Sequence, residues 1–175
     1  GIASGIFGQP TRYPEGYSAF FQNIHLNLGG RVSRPAERFG AVSDLSIRHS
    51  FDTRGGGWFT YGGKVSGFWD VSGKARVLAL TLDVELSESH GGRAIPFNEV
   101  PAIGDTRLPG FLSRRFIGES AMALTLQYKW PVLSLMDGVA HFAVGNVFGH
   151  NLRGLQAGWL RKSAGIGVEM VGNSA

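Results

Sequence analysis

Ala75-Arg76-Val77-Leu78-Ala79-Leu80-Thr81-Leu82-Asp83-Val84-Glu85-Leu86 is the stretch on which the fold turns. In an extended chain Leu78, Leu80, Leu82, Val84 and Leu86 share one face, while Ala79, Thr81, Asp83 and Glu85 share the other. A helix would scatter both sets, so the period of two marks a strand. Residues 121–130 repeat it, with Met122, Leu124, Leu126, Tyr128 and Trp130 opposite Ala121, Ala123, Thr125, Gln127 and Lys129. Weaker alternation occupies about 18–28, 41–51, 57–69, 138–147 and 161–170. With residues 2–7 included the pattern predicts about eight strands and no amphipathic helix.

The segments between these strands carry turn chemistry: Gln9-Pro10, Gly29-Gly30, Arg34-Pro35, Gly55-Gly56-Gly57, Ser72-Gly73 and Asp137-Gly138. Short connections of this kind predict an antiparallel meander. Residues 88–120 are the exception, a connection of about 33 residues where hairpins ordinarily need two to five, and loops of that length usually carry function.

Composition narrows the classes. The chain has 175 residues, enough for one domain spanning 1–175, with 27 glycines and no cysteine, which excludes a disulfide scaffold, a thiolate metal site and a cysteine nucleophile. The net charge of +4 comes mostly from arginines in turns, not from one basic face interleaved with aromatics, so no nucleic-acid partner is expected. No run of 18 apolar residues exists to make a spanning helix. No cofactor is implied: Gly165-Ile166-Gly167 has Met170 where a dinucleotide fingerprint needs its third glycine. No metal is implied either, because His25, His49, His141 and His150 are dispersed.

Strands with one apolar and one small or polar face suit a soluble β-sandwich or a membrane barrel. A sandwich turns its apolar face to a second sheet. A barrel turns it to lipid, fills the lumen with small and polar groups, and bands the interfaces with aromatics. Trp58, Tyr61, Trp69, Tyr128 and Trp130 lie near strand ends as such girdles would. The sequence therefore predicts an all-β fold, an antiparallel up-and-down transmembrane β-barrel with 88–120 as its long outer loop, and the soluble β-sandwich as the alternative. Connections 71–74 and 131–137 then fall on the opposite, periplasmic side.

A family resemblance enters from residue 97 onward. Phe97 to Phe111 (Phe-Asn-Glu-Val-Pro-Ala-Ile-Gly-Asp-Thr-Arg-Leu-Pro-Gly-Phe), Arg114-Arg115-Phe116, Leu124 to Val132, Phe142 to Phe148 and Ser163 to Val168 follow one another in an order and spacing that resembles the C-terminal barrel of the bacterial surface antigen superfamily. That superfamily includes the assembly factors BamA and TamA, two-partner secretion translocators and barrels attached to patatin-like lipases. The resemblance covers about 75 residues; before them only the strand pattern and the Asp52-Thr53-Arg54 turn match. It implies a bacterial outer-membrane protein that inserts or transports membrane proteins or lipids or organises the membrane, with lipids and lipopolysaccharide as partners. The chain reads as a reduced member without periplasmic delivery domains.

In the family an Arg-Gly-aromatic loop tip enters the lumen and pairs its Arg with acids on the next two strands. Here the loop motif is Leu108-Pro109-Gly110-Phe111, so Pro109 stands at the Arg position, Gln127 at the first acid and Ala143 at the second. Loss of all three predicts that the lock is absent as a unit, because a buried ion network is tolerable only when complete. An eight-strand lumen is filled by its own side chains, so the loop is expected to stay outside. Part of a 16-strand barrel, or a homodimer in which two chains complete one another, also remain open.

The lumen-facing polar residues Asp83, Glu85 and Lys129 are expected to pair among themselves or with Arg76 or Arg48. Arg107, Arg114 and Arg115 offer bidentate contacts to lipopolysaccharide phosphates or a partner. Phe111 and Phe116 are expected to pack the loop on the barrel rim. No enzyme is expected; the contrary reading, a hydrolase or acyltransferase, would draw on Ser87, Ser89, His90 and Asp105 beside the loop.

Overall fold

Seven long strands follow one another in the computed structural model, which describes residues 19–29, 39–52, 55–90, 92, 94–133 and 135–170. They are β1 (Ala19–Gly29), β2 (Phe39–Asp52), β3 (Gly57–Asp70), β4 (Val77–His90), β7 (Ser120–Leu133), β8 (Met136–Phe148) and β9 (Arg161–Met170). Two short strands, β5 (Ala102–Ile103) and β6 (Phe116–Ile117), pair within the long connection. All seven long strands form one antiparallel sheet in the order β1-β2-β3-β4-β7-β8-β9. Among the described residues β1 and β9 are its edges, and the sheet is not closed into a barrel. The expected strand at 2–7 and the Thr53-Arg54 part of the turn lie outside the described residues.

The register carries the sequence pattern across the sheet. Val65 faces Leu82, Leu82 faces Leu124, and Leu124 faces Val144, so the leucine row of one strand continues into the next. Ile24, Leu26, Leu45, Ile47 and Ile166 extend it to both edges. Much of this apolar face is exposed, from Leu82 at 42% to Ile166 at 80% accessible. Among the described residues no second sheet covers it.

The opposite face carries Asn23, Asp44, Ser46, Lys64, Ser66, Thr81, Asp83, Glu85, Thr125, Gln127 and Ser163, mixed with glycine and alanine. The apolar core lies on this polar side. Ile103 and Leu108 of the long connection are fully buried against Ala121 and Ala143, with Phe111, Phe116 and Val147 packed around them. Alanine on β7 and β8 leaves the depth into which the loop's larger side chains fit.

Among the proposed girdle residues Tyr61, Trp69, Tyr128 and Trp130 lie on the apolar face, and the last two stack with ring centroids 5.5 Å apart. Trp58 does not belong with them. It is three residues from Tyr61 and so has the opposite parity, which turns it to the polar face beside Ser50 and leaves it 3% accessible.

Candidate functional site

The long connection doubles back over the polar face. Gly118 N–H donates to the Pro101 carbonyl at 3.0 Å, and β5 pairs with β6 just inside that bond, so the loop's base is a small ladder. Its tip is a tight turn in which Asp105 N–H donates to the Phe111 carbonyl at 2.8 Å and Phe111 N–H donates to the Leu108 carbonyl at 3.3 Å. Gly104 has a φ of +139°, and a Cβ there would overlap the Leu112 carbonyl oxygen, so only glycine fits. The turn aims Arg107 and Leu108 at the sheet.

Arg107 is the clasp. Its Nη1 donates to Glu85 Oε2 and, at 3.3 Å, to the Ala102 carbonyl, and its Nε lies 3.4 Å from Asp83 Oδ2. Asp83 and Glu85 sit two apart on β4, hence on one face, and a planar guanidinium with five donors can serve both. Burial works against the Arg107 charge, but the carboxylates of Glu85 and then Asp83 outweigh it and hold the guanidinium above its ordinary range.

Two corrections follow. The lock is not absent as a unit: Pro109 is no arginine, but Arg107, two residues earlier, makes the loop-to-sheet ion pairs with the strand before the loop instead of the strands after it. Nor does the loop stay outside the polar face, since Leu108 is buried on it. The other two positions named from the resemblance fit this arrangement. Ala143 lies fully buried in the cluster that seats Leu108, where a carboxylate would be sealed without a partner. Gln127 is on the same face between Ala79 and His141.

Lys129 is not a partner of Asp83 or Glu85. It faces Val77, six residues along the sheet from the Asp83–Ala123 position, about 20 Å at strand rise, and pairs instead with Glu169 at 2.6 Å. Nor does Arg76 reach: it ends the turn at that same far edge. Arg48 stands over the Phe21 ring at 5.5 Å.

The basic loop residues do not act as a trio. Arg107 is committed to the clasp, Arg114 donates to the carbonyls of Phe97 and Val100 at 3.3 and 3.4 Å, and Arg115 is exposed. Phe111 and Phe116 meet edge to face at 5.2 Å inside the loop's own core. Ser87 is buried and donates to the Glu119 carbonyl at 2.9 Å, whereas His90 projects from the other face and meets His49. Ser87, His90 and Asp105 are thus not brought together.

Polar crevices flank the clasp. One of about 280 Å³ lies under the loop, lined by Arg48, Thr60, Glu85, Asn98, Arg107 and Arg114 among others. A second of about 220 Å³ continues along the sheet past Asp44, Lys64 and Asp83. Glu85 and Arg107 line both, so the clasp stands between them. No signal in the sequence names Arg107 as the partner of Asp83; the available hint is that two acids on one strand face require a counter-charge, and the loop carries one directly before a leucine.

Compared with known protein families and curated proteins, the chain matches no family model and no curated sequence.

Proposed function

We propose that this chain forms the wall of a transmembrane β-barrel of the bacterial outer membrane, similar to the assembly and translocation barrels of the surface antigen superfamily, with the long loop drawn into the lumen as a constriction held by Arg107. The carrying observation is the inverted polarity of the sheet: its leucine face is largely bare, and the loop packs on the charged face, over Asp83, Glu85, Ala121 and Ala143. The exposed aliphatic and aromatic side chains on that face forgo on the order of 10 kcal/mol in water. That equals the whole net stability of an ordinary domain, about 5–15 kcal/mol. Hydrocarbon removes the deficit.

The dimensions agree. Phe59 and Trp69 lie ten residues apart on the apolar face of β3, about 33 Å along the strand. At a tilt of about 40° that is a height of about 25 Å, the apolar band of such barrels. In lipid the bare N–H and C=O groups of β1 and β9 must also be paired. Seven alternating strands leave β1 and β9 running in the same direction, so closing one chain on itself, or joining two like-oriented copies edge to edge, makes a parallel seam. One further strand per chain, beyond the seven described, makes the seam antiparallel whether one chain or two close the barrel.

Crevices on both sides of the clasp suit transport or insertion gated by the loop. Reconstitution in planar bilayers tests this. The native protein should insert and conduct poorly, and Arg107→Ala should raise conductance severalfold. Failure to insert contradicts the membrane reading; insertion with identical conductance in the variant removes the gating role.

A further inference from the structure

At the edge of the sheet that carries the long connection, β2 and β4 each bring a histidine to the apolar face, and the two rings meet across β3. His49 Nε2 and His90 Nε2 are 2.8 Å apart, with ring centroids 5.0 Å apart. The pair stands on an aromatic platform. His49 stacks on Phe59 at 4.1 Å with the rings 11° from parallel and leans on Phe51 at 3.9 Å, while Phe59 also meets His90 at 5.3 Å. His90 lies across Gly57, where any side chain would occupy the ring's own space. Both imidazoles are therefore placed by packing, with their Nε2 atoms converging.

We propose that His49 and His90 form a two-imidazole chelate for a late divalent transition ion, Zn²⁺, Ni²⁺ or Cu²⁺, held at the rim with water completing its shell. Neutral imidazole is the ligand these ions share. Tetrahedral Zn–N bonds of about 2.0–2.1 Å set the two nitrogens about 3.3 Å apart. Square-planar cis positions set them about 2.9 Å apart. The observed 2.8 Å is close to the second and needs a pivot of the rings, opening about half an ångström, for the first. Without an ion the contact is a hydrogen bond from one neutral ring to the other; with an ion, the shared Nε2 proton moves by exchange with water to Nδ1, and both Nε2 lone pairs face the metal.

The exposure of the pair fits an exchangeable site. His90 ends β4 and is exposed. Glu88, on the same strand face, is engaged by the Tyr61 hydroxyl at 2.7 Å. Among the described residues no third His, Cys, Asp or Glu side chain joins the pair.

Calorimetric titration of the full chain in detergent with Zn²⁺, and electron paramagnetic resonance with Cu²⁺, test the site. One ion per chain is expected, with two nitrogen couplings in the Cu²⁺ spectrum. His49→Ala and His90→Ala should each weaken binding at least about tenfold, since the second ligand of a chelate acts at high effective concentration. His150→Ala, in the connection at the same edge, should leave it unchanged. In the unmutated protein, Zn²⁺ should shield His49 and His90 but not His150 from diethyl pyrocarbonate, read by mass spectrometry. Unaltered affinity in the His49 and His90 variants, equal loss from His150→Ala, or absence of shielding overturns the proposal.

Discussion

The two faces of β4 show opposite fates for residues one position apart. Leu82 is 42% accessible, while the side chain of its neighbour Asp83 is 17% accessible under the loop. In a water-soluble sheet the leucines would be covered and the carboxylates solvated. The difference teaches that the loop serves the polar side as core and counter-charge together, while the leucine side has no cover among the described residues, which is what the proposed membrane setting would supply.

Experiments that break one face should not behave like those that break the other. The largest effect belongs to the apolar face: Leu82→Arg combined with Leu124→Arg should cost about 2–4 kcal/mol per site if both lie near the bilayer midplane, enough to abolish membrane assembly. Heat-modifiable migration of the refolded protein reports it. On the polar face Leu108→Ala removes the loop's anchor from a fully buried site and should cost about 2–5 kcal/mol. Urea unfolding in detergent measures this, with protease cleavage of the loop rising in parallel.

Arg107→Ala should cost about 1–3 kcal/mol, because two partly buried carboxylates lose their partner. Its sharper form adds Asp83→Asn and Glu85→Gln. Neutralising the whole cluster should recover most of the loss, as for any ion network removed entire. Lys129→Met is the smallest, below about 1 kcal/mol, since the Glu169 side of that pair is solvated. A larger change there than at Arg107 would reverse the ranking of the two ion pairs.

Much of this architecture was legible in the chain because period two is a local signal. The expected 121–130 became β7 (Ser120–Leu133), 57–69 became β3 (Gly57–Asp70), and 161–170 coincides with β9. The long connection was legible by length. Its direction was not, because the Arg107–Asp83 contact joins residues 24 apart through a turn whose shape depends on the Gly104 and Asp105 backbone. The expected outside loop differs from the observed one because Pro109, Gln127 and Ala143 carry no charge, while Arg107, two residues before Pro109, supplies it. Trp58 lies near a strand end as a girdle residue would, but the alternation over 57–69 already sets it opposite Tyr61 and Trp69, and parity decides its face.

Because the sequence contains no cysteine, single labels can be placed on either face without background. Leu82→Cys and Lys64→Cys, each carrying a fluorophore in reconstituted vesicles, put one probe on each side of the same pair of strands, both at exposed positions. Quenching of the Leu82 label by brominated lipid and of the Lys64 label by aqueous iodide is the predicted result. Iodide reaching the Leu82 label while lipid quenches neither would contradict the account.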